Sequence, residues 1–114
     1  MFVPRPLFNT LIMTNAEIIN AVIAATADAT EISETEIRSK SRMRETVDAR
    51  HIAIKVIHDM GIYVSRIAAQ LHITERNVHY ALTAFEERLR GNPLMRNNYE
   101  IVRNKVRKWL ETSN

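Results

Sequence analysis

Residues 74–80 carry a run of side chains that could hydrogen-bond to the edges of nucleic-acid bases. Arginine can pair bidentately with guanine and asparagine with adenine, and Arg76 and Asn77 are adjacent here. Thr74 is a typical helix N-cap, so both fall in the first turn of a predicted helix. In a DNA-reading helix that turn enters the major groove. The predicted base-contacting residues are Thr74, Glu75, Arg76, Asn77, His79 and Tyr80. For His79 and Tyr80, packing against the preceding helix is an equal alternative.

Residues 64–82 have the pattern of a helix-turn-helix unit, which needs apolar residues where its two helices touch. Ile67 and Leu71 supply them on the first helix, and Val78 and Ala81 supply them on the second. A small residue, Ala68, stands where the backbones approach, and Ile73 plugs the turn. The turn begins with His72, at a position that commonly takes glycine, and histidine tolerates the left-handed backbone expected there. The alternative is an ordinary helical hairpin with a polar outer face.

A second basic element precedes this unit. Bases alternate with small polar groups over residues 38–44, which predicts a loop, and arginines on an extended segment suit phosphates or a minor groove. Arg50, His51 and Lys55 are predicted to continue this basic face along the following helix, and Ser65 and Arg66 begin the first helix of the unit. The predicted backbone or minor-groove contacts are Arg38, Lys40, Arg42, Arg44, Arg50, His51, Lys55, Ser65 and Arg66. A solvated basic surface is the alternative.

The residue pattern gives little support for a metal site or an enzymatic activity. His51 and His58 are seven residues apart, as are His72 and His79, whereas helical metal ligands are best placed three or four apart. The chain has no cysteine, which excludes disulfides, thiolate zinc sites and thiol catalysis. No serine has a positioned histidine and acid in the sequence. We therefore expect no metal, no cofactor and no enzymatic activity.

Apolar residues recur at helical spacing through most of the chain. Helices are predicted to start at Thr14 or Asn15, at Thr46 or Asp48, near Val64 with Ser65 as a plausible cap, at Thr74, and after Gly91-Asn92-Pro93. The last helix has a regular seam from Met95 to Trp109. The acidic stretch 28–36 is predicted to be a loop with a short helix. No segment alternates apolar and polar residues long enough for a strand, so we predict an all-α domain of five to six helices.

Length, composition and charge set the outer limits of the interpretation. The 114 residues suffice for one domain, predicted at 14–114, preceded by an apolar arm at 1–13 that contains Pro4 and Pro6. No apolar run approaches the ~20 residues of a membrane span, and a cytoplasmic location is expected. Residues 38–114 hold fifteen bases and eight acids, a charge balance typical of a protein with a polyanionic partner.

These elements, in this order, resemble the carboxy-terminal DNA-binding domain of the bacterial replication initiator DnaA, from about residue 15 to residue 110. Residues 38–54 look like the basic loop and following helix of that family. Residues 64–71 match the first helix of its helix-turn-helix, and residues 74–81 align with the signature of its recognition helix. The resemblance implies a Trp-repressor-like helical fold. It also implies major-groove reading by residues 74–77, with the basic loop in the adjacent minor groove.

The sequence departs from that family at three places. The glycine-rich turn before the recognition helix is here Leu71-His72-Ile73, shorter by about one residue. The family's Asp-His-Thr-Thr readers are replaced by Thr-Glu-Arg-Asn at 74–77, so a target other than the standard initiator box is expected. Asp48 stands where the family has its minor-groove arginine, and Arg50 is retained two residues later. No phosphate-binding glycine loop occurs, so a stand-alone relative without the ATPase module is expected.

Three functions therefore remain open at the level of sequence. The leading hypothesis is sequence-specific binding of double-stranded DNA, in replication initiation or transcription regulation. The alternative is a protein-interaction module that docks on a larger assembly through the apolar arm and the acidic segment, without base readout. RNA binding comes third, because the chain lacks the aromatic platforms on which single strands stack.

Overall fold

Six α-helices joined by short connections form residues 14–112, the part of the chain that the computed structural model describes. No strand occurs within these residues, and the predicted all-α class is confirmed. The apolar arm at 1–13 lies outside the described residues. The helices are α1 (Asn15–Thr30), α2 (Glu34–Arg38), α3 (Arg44–Asp59), α4 (Val64–Leu71), α5 (Glu75–Arg90) and α6 (Pro93–Thr112).

Helix α3 is the centre of the molecule. A helix that is apolar on one face only lies at a surface, whereas one that is apolar on several faces is enclosed. The predicted stripe of α3, which includes Ala49, Ile52 and Val56, is buried, and Ile54 and His51 on other faces are buried as well. Helix α3 accordingly contacts each of the other five described helices. Both helices of the helix-turn-helix unit predicted from the sequence pack against it.

Helices α1 and α6 pack against each other and against α3. Their predicted stripes are buried, from Ile18 to Thr26 on α1 and from Met95 to Val106 on α6, and Trp109 packs on the core while partly exposed. The rings of Phe85 and Tyr99 meet edge to face, with centroids 4.9 Å apart. This contact ties α5 to α6, because aromatic rings attract each other in that geometry.

The helix ends follow the local signals in most places. Thr14 and Glu17 form a reciprocal capping box at the start of α1. Asn92 Oδ1 accepts a hydrogen bond from the Met95 N–H at the start of α6. Gly61, at the stop after α3, has a φ of 90°, a conformation that glycine adopts without strain.

One predicted helix start and one predicted cap are wrong, whereas the predicted start of α4 near Val64 is confirmed. Helix α3 begins at Arg44, before Thr46 and Asp48, because Arg44 and Glu45 are good helix formers and the Val47 N–H already bonds to the Met43 carbonyl at 2.9 Å. Ser65 does not cap α4. The N-cap position belongs to Tyr63, which makes no capping hydrogen bond through its side chain.

Candidate nucleic-acid interface

Helices α4 and α5 are the two helices over which the sequence predicts the helix-turn-helix unit. They pack against each other and against α3. Ile67 and Leu71 on α4 are buried, as are Val78 and Ala81 on α5. Ala68 is buried too, as expected for a small residue where two helix backbones approach. Because these positions face inward, the polar residues between them are turned outward on α5.

The turn between the two helices is closed by hydrogen bonds of the Schellman type. The Ile73 N–H donates to the Ala68 carbonyl at 3.0 Å and the His72 N–H donates to the Ala69 carbonyl at 3.4 Å. His72 is left-handed, with φ 58° and ψ 44°, as its place in the turn predicted. Ile73 packs on the core. This closure sets the direction in which α5 leaves the turn.

The first turn of α5 is exposed and polar. Thr74 Oγ1 accepts a hydrogen bond from the Asn77 N–H at 3.0 Å, which confirms Thr74 as the N-cap. Glu75, Arg76, Asn77, His79 and Tyr80 are all exposed, whereas Val78 is completely buried. The positive end of the helix dipole lies at this turn and favours a negatively charged partner.

The basic loop is shorter than predicted. It spans residues 39–43, because Arg38 is the last residue of α2 and Arg44 is the first of α3. The guanidinium of Arg38 donates a hydrogen bond to Asn20 Oδ1 on α1, so this side chain is directed away from the loop. Lys40, Arg42 and Arg44 are exposed.

The loop and α5 face a common groove of about 860 Å³. Lys40, Arg42 and Arg44 line it from the loop and the start of α3. Thr74, Asn77 and Tyr80 line it from α5, together with His72 and Ile73 in the turn. The fold therefore brings the two predicted elements together, although about thirty residues of chain separate them.

Positive charge dominates this groove. Among the described residues that line it, five side chains are cationic and one is a carboxylate; the cations are Lys40, Arg42, Arg44, Arg50 and Arg88, and the carboxylate is Asp48. Such a concave surface of one charge sign attracts polyanions.

Arg88 is a groove residue that sequence reasoning missed. It lies in the last turn of α5, and its Nη2 and Nε donate to the two carboxylate oxygens of Asp48 at 2.6 and 3.2 Å. These hydrogen bonds with Asp48 raise the pKa of Arg88. The pair spans forty residues of sequence, and no local pattern could have revealed it. The structure places Asp48 in α3, where its charge is matched by Arg88.

Two of the three residues predicted to continue the basic face along α3 are engaged within the protein. His51 is only 8% exposed and its ring meets that of Tyr80 edge to face, with centroids 6.2 Å apart. Burial lowers the pKa of His51. Lys55 Nζ lies 3.2 Å from Asp59 Oδ1 and 3.4 Å from Glu86 Oε2. Because α5 packs against this side of α3, it covers the imidazole of His51 and places Glu86 beside Lys55.

The third of these residues, Arg50, lines the groove but is bound to the protein itself. Its Nε donates to the Ile37 carbonyl at 2.9 Å, and its Nη2 donates to the carbonyls of Ser39 and Ser41 at 2.7 and 3.2 Å. Burial lowers the pKa of this guanidinium, and the Glu36 carboxylate opposes that effect.

Several predicted contact residues lie outside the groove. Ser65 and Arg66 are exposed on the first turn of α4. Glu75, Arg76 and His79 are exposed on the part of α5 that does not line the groove. Together with Asn77 and Tyr80, they give the start of α5 a polar surface that extends from inside the groove to its outside.

Comparison with known proteins adds no family to this geometry: no protein-family model matches the chain, and no curated protein matches it significantly.

Two further findings concern residues 14–112. Their histidines and carboxylates form no group of three or more that could hold a metal ion. None of their helices is both long and apolar enough to cross a membrane.

Proposed function

We propose that this protein binds double-stranded DNA sequence-specifically, as a stand-alone helix-turn-helix domain related to the DNA-binding domain of DnaA, in replication initiation or transcription control. The observation that carries the proposal is the shared groove. Three of the predicted base-contacting residues line the same concave surface as three exposed cations. The former are Thr74, Asn77 and Tyr80, and the latter are Lys40 and Arg42 in the loop and Arg44 at the start of α3. A hairpin with a merely solvated outer face would not require a basic loop beside it.

In this proposal α5 enters the major groove, which is about 12 Å wide and admits one helix. Arg76 and Asn77 reach base edges from its first turn, and Glu75 can accept a hydrogen bond from a cytosine amino group. The oxygen of Thr74 already caps the helix, but its O–H remains able to donate to a phosphate. Tyr80 and His79 face the same duplex one turn further along.

The basic loop holds the duplex rather than reading it. Lys40, Arg42 and Arg44 contact phosphates or the adjacent minor groove, because cations on a loop of this kind neutralise backbone charge without selecting a sequence. Each phosphate contact steepens the salt dependence of binding by about one unit of the logarithmic slope. Reading and holding are therefore separable by experiment.

We predict that Arg76→Ala and Asn77→Ala reduce discrimination between the preferred and a scrambled duplex by about 1–3 kcal/mol each, with little effect on the scrambled duplex. The double variant Arg42→Ala/Arg44→Ala weakens binding to both duplexes and lowers the salt slope by about two. The measurement is a titration of each variant at several salt concentrations, against duplexes selected from a random pool.

Two controls accompany this experiment. Arg107→Ala removes one exposed cation of α6, outside the groove, and should leave discrimination unchanged. Val78→Ala truncates a completely buried side chain and should lower stability before it affects binding. Unchanged discrimination in Arg76→Ala and Asn77→Ala would show that α5 is not the reading helix. No binding of any duplex at low salt would instead favour a protein-interaction module.

A further inference from the structure

The basic loop, residues 39–43, has few constraints of its own. Ser39 Oγ accepts from the Ser41 N–H at 3.1 Å and donates to the Glu36 carbonyl at 2.7 Å, and Ser41 Oγ accepts from the Met43 N–H at 3.2 Å. Lys40, Arg42 and Met43 are exposed. A segment held by so few bonds would sample many conformations, and ordering it on a ligand costs conformational entropy.

Arg50 supplies the missing constraint from the neighbouring helix. One guanidinium joins three carbonyl groups, that of Ile37 in α2 and those of Ser39 and Ser41 in the loop. The planar fork of an arginine can satisfy several acceptors at fixed angles, which the single ammonium of lysine cannot do. Lys40 and Arg42 lie beside these acceptors in the chain, so the bonds of Arg50 determine where both side chains leave the backbone.

We propose that Arg50 is a positioning residue for DNA binding: it holds the basic loop in the shape in which Lys40 and Arg42 face the groove, and does not itself contact the duplex. This inference rests on the proposed function. The role assigned to Arg50 therefore differs from the direct backbone or minor-groove contact that the sequence predicted. The three carbonyl partners take three of the five N–H donors of Arg50, on Nε and Nη2, so the Nε–Nη2 edge of the guanidinium is engaged within the protein.

The test compares Arg50→Lys, which keeps the charge, with Arg50→Met, which removes it. Both should weaken binding to selected and scrambled duplexes by a similar factor of about ten, which is the scale of ordering one further residue on binding. Arg50→Lys should retain the wild-type salt slope, because no phosphate contact is lost. In the free protein, both variants should be cleaved faster by trypsin after Lys40 and Arg42.

A second variant guards against misfolding of the first two. Ser39→Gly/Ser41→Gly removes the loop's own side-chain bonds without touching α3, and should show the same combination of weaker binding, unchanged salt slope and faster cleavage. Thermal unfolding of each variant identifies any general loss of stability.

Three results would overturn the inference. Arg50→Lys could bind like the wild type while Arg50→Met loses affinity and about one unit of salt slope, which would make Arg50 a direct phosphate contact. Unchanged cleavage in both variants would show that Arg50 does not hold the loop. If the wild-type chain binds no duplex at low salt, both the proposed function and the positioning role in DNA binding fail. Faster cleavage of the Arg50 variants would then show only that Arg50 orders the loop.

Discussion

His51 illustrates how packing changes the behaviour of a single residue. Its ring meets that of Tyr80 edge to face, and its Nδ1 is buried without a hydrogen-bond partner among the described residues. Asp48, Arg50 and Arg88 act on it electrostatically. Burial is the largest effect and lowers the pKa of the imidazole, while Asp48 opposes it and the two arginines add to it. The folded protein therefore keeps His51 neutral at pH values where the unfolded chain starts to bind a proton.

We predict that this histidine makes the protein less stable as the pH falls below about 6.5, the ordinary value for histidine. Below that pH the unfolded state binds more protons than the folded state. The stabilisation that neutral His51 contributes is therefore fully present above that pH and is lost as the pH falls to the lowered pKa. Urea denaturation of the wild type and of His51→Phe, at pH 7.5 and 5.5, measures this. The wild type should lose more free energy of unfolding on acidification than the variant. Parallel losses would assign the pH dependence to other groups.

At the scale of elements, the unit of α4, turn and α5 depends on a left-handed residue that is not glycine. His72 adopts φ 58°, a conformation in which a side chain is strained and glycine is not. Histidine tolerates it better than most residues do. The turn can therefore be tested without altering the helices on either side.

We expect His72→Gly to raise the free energy of unfolding by about 0.5–1 kcal/mol, since relief of the left-handed strain exceeds the greater flexibility of glycine in the unfolded chain. His72→Val should lower it, because a β-branched residue is strongly disfavoured there. Chemical denaturation at neutral pH gives both values. A less stable glycine variant would mean that the His72 side chain contributes contacts that outweigh its backbone strain.

At the scale of the whole molecule, α3 belongs to both the hydrophobic core and the wall of the groove. One side of it closes the core with α1 and α6, and the other supports the groove between the basic loop and α5. The buried core is built entirely from residues between Ile18 and Val106 in the part of the chain that the structure describes.

We predict that a chain starting at Met13 folds with a thermal midpoint within a few degrees of the full chain, because residues 1–13 contain two prolines and no apolar stripe that continues into α1. Far-ultraviolet circular dichroism on heating measures both the midpoint and the helical signal. Loss of one core contact worth ~1 kcal/mol would already lower the midpoint of a domain of this size by about 4–8 °C. A drop much larger than that would place Phe2, Leu7 or Phe8 in the core or in a contact between copies.

Local sequence patterns predicted the all-α class with five to six helices, the buried stripes, the cap at Thr74 and the left-handed turn at His72. These features depend on residues within about four positions of each other, which is the range of helical periodicity and capping. Local patterns could not reveal the pairing of Asp48 with Arg88, the bonds of Arg50 to the loop carbonyls, the burial of His51 or the approach of Glu86 to Lys55. Their partners lie on other elements, nine to forty residues away for the hydrogen bonds of Arg50 and Arg88. Such partners meet only when the helices pack around α3.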